Sequence, residues 1–109
     1  MKRLELQKLT IDELVERFAA LGLEQDEAKV EKVEEELKSR TPDQRRALLP
    51  LYDHENDQVR LNAANATLAV SPKDARALLE AIAESGVFPQ RGDAGMALWA
   101  LDEGISEPT

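Results

Sequence analysis

The chain contains no cysteine, and that absence removes disulfide staples, thiolate nucleophiles and thiolate-ligated zinc together. It fits a reducing compartment, so the cytoplasm is the expected location. Aromatic residues are scarce, at 4%, although hydrophobic residues reach 42%. A core filled by Leu, Ala, Val and Ile suits close helix packing better than a β-sandwich. Long apolar runs are missing too. The opening "MKRLELQKLT" lacks the apolar segment of a signal peptide, and no later stretch approaches the length that spans a bilayer, so neither export nor a membrane partner is expected. Basic residues are outnumbered, 14 Lys and Arg against 22 Asp and Glu, for a net charge of −8. Such a chain repels phosphate backbones, and nucleic acid is not an expected partner.

What remains is a succession of helices with legible starts. "TIDE" sets Thr10 as an N-cap with Glu13 reaching back, and "TPDQ" repeats the pattern with Thr41, Pro42 and Gln44. "SPKD" offers Ser71 as a cap, Pro72 at the first helical position and Asp74 near the positive end of the dipole. The spacing predicts a first helix over residues 11 to 21 that ends near Gly22, with Ile11, Leu14, Val15 and Phe18 inward. A second carries a thin seam of Val30, Val33 and Leu37 among charges, as expected of an edge helix. The third presents Ala47, Leu48, Leu51 and Tyr52, and Pro50 in its interior should bend it. The fourth, in "NDQVRLNAANATLAVSP", has Val59, Ala63, Ala66 and Val70 on one face and Leu61, Ala64 and Leu68 on another. The fifth shows one stripe, Ala75, Leu78, Leu79 and Ile82, and the last begins near Asp93 with Ala94, Ala97, Leu98 and Leu101 inward before Gly104 ends it.

These elements pair as three consecutive hairpins, an all-α domain over residues 10–105 with an N-terminal extension at 1–9 and a tail at 106–109 that are both expected to fray. A helix apolar nearly all round needs neighbours on several sides, and stacked hairpins supply them. The stretch "ALLPLYDHENDQVRLNAANATLAV" resembles a HEAT repeat: leucines with a proline, an Asp/Asn-rich turn, then Val59-Arg60 and an alanine-rich second helix. The whole chain, with "RRALLPLYDH" and "GDAGMALWALDEG", is similar to the bacterial family catalogued as domain of unknown function twenty-nineteen. The resemblance implies a short right-handed α-α superhelix of HEAT or armadillo type, five to six helices in all, and no catalytic residues.

Candidate sites follow from this frame. His54 sits in "DHEND", whose Asp53, Glu55 and Asp57 could open a calcium loop, but the sixth position is Gln58 rather than Gly and the twelfth is Ala64 rather than Glu. A solvated turn capped by Asn56 or Asp57 is expected instead, and no metal or other cofactor is implied. Arg60 is expected to form a structural ion pair with Asp57, Asp93 or Asp53. Gln58, Asn62 and Asn65 mark the fourth helix's strip toward solvent or a partner. Met96 and Trp99 lie off the core stripe of the last helix; they form either a binding patch or packing beneath the C-terminal turn, and the usual burial of large aromatics favours the latter. Glu31, Glu34, Glu35 and Glu36, among Lys29, Lys32 and Lys38, read as a solvated face or as a dock for a basic protein.

The function expected from these residues is a non-enzymatic module that binds another protein, a basic one being favoured by the charge. An immunity or inhibitor protein for a basic partner is one form of it. Enzyme chemistry based on carboxylates, or a small-molecule role, is the alternative, although no acid-base pair in a distinct environment is legible.

Overall fold

The computed structural model describes residues 3–109. Seven helical elements follow one another, with no strand among the described residues: α1 (Arg3–Gln7), α2 (Ile11–Leu23), α3 (Glu27–Ser39), a 3₁₀ helix (Arg45–Asp53), α4 (Asp57–Thr67), α5 (Pro72–Ser85) and α6 (Gln90–Asp102). The all-α class is therefore established. The main packed pairs are α5 with α6, the 3₁₀ helix with α4, α4 with α5, and α2 with α3. No described helix is long and apolar enough to cross a membrane.

The core has two parts, and α4 joins them. Ala63 and Ala66 pack with Leu14, Phe18, Val33, Leu37 and Leu48 on one side. Leu61 and Ala64 pack with Leu78, Leu79, Ile82 and Ala94 on the other. Ala63 and Ala64 are adjacent in sequence yet serve opposite clusters, and both are fully buried. Small side chains let backbones approach from both flanks, which is why alanines stand on both sides of this helix.

Local chemistry fixes most boundaries where the sequence placed them. Thr10 Oγ1 accepts from Glu13 N–H at 3.1 Å while Glu13 Oε1 accepts from Thr10 N–H at 2.9 Å, a complete capping box. Asp26 caps α3 by accepting from Lys29 N–H, and Asn56 Oδ1 caps α4 by accepting from Gln58 and Val59 N–H.

Other starts differ from the expectation. Thr41 caps nothing: Asp43 Oδ1 accepts from Arg45 N–H at 2.9 Å, its carboxylate also binds the Arg45 guanidinium, and helical winding begins at Arg45. An Asp that bonds forward to backbone competes with helix initiation before it, and here it wins. The element that follows is a 3₁₀ helix rather than a bent α-helix, because Pro50 brings no N–H and its ring excludes the α-helical carbonyl placement one turn back. The start of α5 is as expected, with Ser71 at the N-cap, Pro72 first and Asp74 in the first turn, although Ser71 Oγ donates to Asp74 Oδ2 rather than accepting from backbone. Helix α6 starts at Gln90, three residues before Asp93, and Gly22 lies inside α2, where Gln25 with φ 57° takes the left-handed turn that follows.

The N-terminal extension is also more ordered than expected. From residue 3 onward it enters the fold: α1 inserts Leu6 into the core with no exposed surface, and residues 1–2 lie outside the described region. A five-residue helix does not persist alone, so its anchor is tertiary. Arg40 supplies it, donating to the carbonyls of Leu6 and Leu9 at 3.2 and 2.8 Å while its Nε binds Glu36 Oε2 at 3.0 Å. Glu36 is thus buried, unlike the solvated residue that its charged neighbours suggested.

Candidate functional site

Two polar stripes with the same spacing face each other. On α3, Glu27, Glu31, Glu34 and Lys38 recur at intervals of four, three and four residues; on α4, Gln58, Asn62 and Asn65 repeat the first two of these intervals. Residues so spaced share one helix face. Between these faces lies an open trough of about 270 Å³ lined by Glu27, Val30, Glu31, Glu34, Asn62 and Asn65. Past Glu34 and Asn65 it continues into a second hollow of about 320 Å³, bordered by Lys38 and Arg45 and by the tail residues Ser106 to Thr109. The first hollow is acidic, and the far end adds the cations Lys38 and Arg45 beside Glu107, with Arg45 paired to Asp43 at 2.8 Å.

Side-chain amides tie the helices together at the acidic end. Gln58 Nε2 donates to Glu27 Oε1 at 3.1 Å and to Asn62 Oδ1 at 2.9 Å, while Gln58 Oε1 accepts from Gln90 Nε2 at 2.9 Å. One side chain therefore links α3, α4 and α6. Asn62 Nδ2 is buried without a partner, against the position where a Gly22 side chain would start.

Burial pushes the Glu34 carboxyl above its ordinary range, an effect that Arg45 opposes and Glu31 reinforces. Asp43 is held below its ordinary range by hydrogen bonds from the Arg45 side chain. At the far end Arg45 also donates to the Thr109 carbonyl at 3.4 Å, and Lys38 Nζ to Thr109 Oγ1 at 3.5 Å. The tail is thereby laid along the far end rather than frayed away from the body.

The residues singled out in the sequence fall into three groups. Asn62 and Asn65 line the trough and Gln58 bonds across to Glu27; Asn65 is exposed and Gln58 half-buried, whereas Asn62 is 7% exposed, because α2 covers it through Gly22. Met96 and Trp99 lie elsewhere, on the outer side of α6, 64% and 50% exposed. Packing beneath the C-terminal turn does not occur, since Ala94, Ala97, Leu98 and Leu101 take the inward side and turn Trp99 away from it. Arg60 pairs with Asp57 at 3.0 Å and donates to the Tyr52 carbonyl, and Asp57 Oδ2 in turn accepts from Val87 N–H at 2.9 Å. Asp93 takes no part in this pair; it is exposed, in the first turn of α6.

His54 Nδ1 accepts from Asn56 N–H at 3.0 Å, which makes it a turn residue. Among the described residues no group of three or more His, Asp or Glu side chains is arranged to hold a metal. Sequence reasoning missed Glu27 and Gln90 as members of the trough network. The signal for Glu27 was present, in an acidic stripe whose spacing repeats that of Gln58, Asn62 and Asn65.

Fold and trough define a small all-helical domain with a polar channel between two of its helices. Residues 12–102 match the family model "Domain of unknown function (DUF2019)", and the chain belongs to that family. It is similar to the crystal structure of the protein RPA1889 from Rhodopseudomonas palustris CGA009, with 45% identity and a TM-score of 0.90 over 95% of this chain and 98% of that one. No curated protein matches.

Proposed function

We propose that this domain is a non-enzymatic protein-binding module, a short HEAT-like helical array whose α3–α4 trough receives a basic segment of a partner protein in the cytoplasm. The observation that carries the reading is a row of carboxylates, Glu27, Glu31 and Glu34, opposite the exposed amide of Asn65, with buried Asn62 at the floor of the trough. Carboxylates attract Lys and Arg, amides bond peptide groups of either polarity, and an open trough suits an extended chain better than a small molecule enclosed on most sides. Arrays of stacked helical pairs use such surfaces between second helices for recognition. A net charge of −8 adds steering toward a basic partner, and neutralisation of such a protein is one role that fits.

The test places a photo-crosslinking amino acid at Asn65 and, as a control, at Glu16 on α2, in the tagged protein within its native cells. The expected result is one dominant adduct from Asn65 that is absent from the Glu16 variant and is lost when Glu31 and Glu34 are both changed to Gln. Equal adducts from both positions, or an adduct indifferent to the two glutamates, would overturn the reading.

A further inference from the structure

The outer side of helix α6 has no packing partner among the described residues. Met96 and Trp99 stand on that side with Gly92 and Glu103, at intervals of four, three and four residues, so the four form one stripe opposite the buried Ala94. Nothing lies within 4 Å of the place where a Gly92 side chain would begin. The stripe thus runs from a gap at the helix start, through two large apolar side chains, to a carboxylate just past the helix end.

We propose that this stripe is a self-association surface, on which α6 of a second copy of the chain packs antiparallel about a two-fold axis. The argument is self-complementarity. A two-fold contact needs each residue's counterpart at the mirrored position of the same stripe. Set antiparallel with Met96 facing the second copy's Trp99, the helix satisfies that condition twice over, and the thioether meets an aromatic ring on both sides of the axis.

The same register brings Glu103 of one copy over Gly92 of the other. There the missing side chain leaves room, and the carboxylate meets the positive end of the helix dipole, between Arg91 and Asp93 on either side of Gly92. The Arg91 guanidinium is turned toward α5, its Nε donating to the Ala83 carbonyl at 3.2 Å and its plane 5.4 Å from the Phe88 ring. The apolar pair and the helix dipole therefore favour the same alignment. A parallel pairing would set Glu103 against Glu103 and leave the Gly92 gaps unfilled. None of these residues lines the trough, so the proposal is independent of the one above.

The cysteine-free chain allows a direct test. Two single variants, Gly92→Cys and Glu103→Cys, are purified separately and oxidised alone and as a mixture. The two positions lie about 16 Å apart along one helix, so like residues across the axis are too distant to bridge. Disulfide-linked dimer should form in the mixture several-fold faster than in either variant alone. Equal rates in all three samples, or no dimer in the mixture, would overturn the proposal.

In parallel, sedimentation equilibrium of the unaltered protein should give a mass rising from 12.1 kDa toward twice that value with concentration. Trp99→Ala should move the midpoint at least about tenfold higher with an unchanged helical spectrum. A midpoint unmoved by Trp99→Ala would count against the surface assigned here.

Discussion

Glu27 and Gln58 meet at 3.1 Å between α3 and α4, and the contact fixes the direction of every other bond in the polar network. An ionised carboxylate only accepts, so the Gln58 atom facing it is the amide nitrogen. Its second hydrogen then goes to Asn62 Oδ1, and its oxygen is left for Gln90. Asn62 must consequently turn Nδ2 inward, toward Gly22, where it finds no acceptor. Asn62→Asp keeps the oxygen that Gln58 needs and replaces the orphan amide with a buried carboxylate oxygen near Glu27 and Glu31. The expected cost is about 3 kcal/mol at neutral pH. Because burial and like charge raise the new carboxyl's pKa, the deficit against the parent protein should shrink as pH falls, which urea unfolding at two pH values would measure.

Arg40 joins α1 to α3, and its removal strands a charge. Glu36 Oε2 has Arg40 Nε as its partner, and Glu36 Oε1 has none among the described residues. Arg40→Met should cost about 3–5 kcal/mol, because a buried carboxylate is left uncompensated and the carbonyls of Leu6 in α1 and Leu9 just after it lose their donor. The double variant Glu36→Leu/Arg40→Met should recover much of that loss in denaturant midpoint. Hydrogen exchange in α1 should nevertheless stay fast in both variants, since the carbonyl bonds are missing in each.

How far the sequence revealed this fold depends on how local the cause was. The two-sided burial of α4 was legible because Ala63, Ala64 and Ala66 declare it within four residues. The caps at Thr10 and Asn56 were legible for the same reason. Burial of Glu36 was only hinted at, by its place three residues after Val33 beside the apolar seam, because its cover comes from the distant segment of Leu6 and Leu9, tied down by Arg40. The trough was half legible: both stripes stand in the sequence, but only packing brings Glu27 to Gln58. Trp99 was misplaced because helical spacing tells which side it occupies, whereas whether another element covers that side is decided only by packing.

Glu34 stands at the junction of the two hollows of the trough, and burial raises its carboxyl pKa. A carboxyl whose folded pKa lies above its unfolded value penalises the fold when charged. That penalty is complete above the folded pKa and is relieved as pH falls through it toward the unfolded value. Glu34→Gln should therefore raise the melting temperature at pH 7, with the advantage disappearing in acid where the parent residue is already neutral. The same variant should bind a basic partner less tightly. Stability gained and affinity lost through one oxygen-for-nitrogen exchange is the signature of a residue kept for recognition rather than folding.

Asp57 is the more important member of the Arg60 pair, because it also reaches the next connection. Its Oδ1 accepts from Arg60 Nη1 at 3.0 Å, and its Oδ2 accepts from Val87 N–H at 2.9 Å, locking the α5–α6 loop to the start of α4. Arg60→Ala leaves the loop bond intact and should cost about 1–2 kcal/mol. Asp57→Ala removes both bonds and the favourable charge at the helix start, and should cost about 2–3 kcal/mol. The loop has little room to adjust, since a side chain on Gly86 would start 2.6 Å from the Ile82 carbonyl and 3.1 Å from Asp57 Oδ2. Once Asp57 is gone, Arg60 has lost its charged partner, so the double variant should be less destabilised than the two single losses added together. Thermal unfolding of the four proteins in this cycle measures that difference, and strict additivity would mean that Arg60 acts through the Tyr52 carbonyl alone.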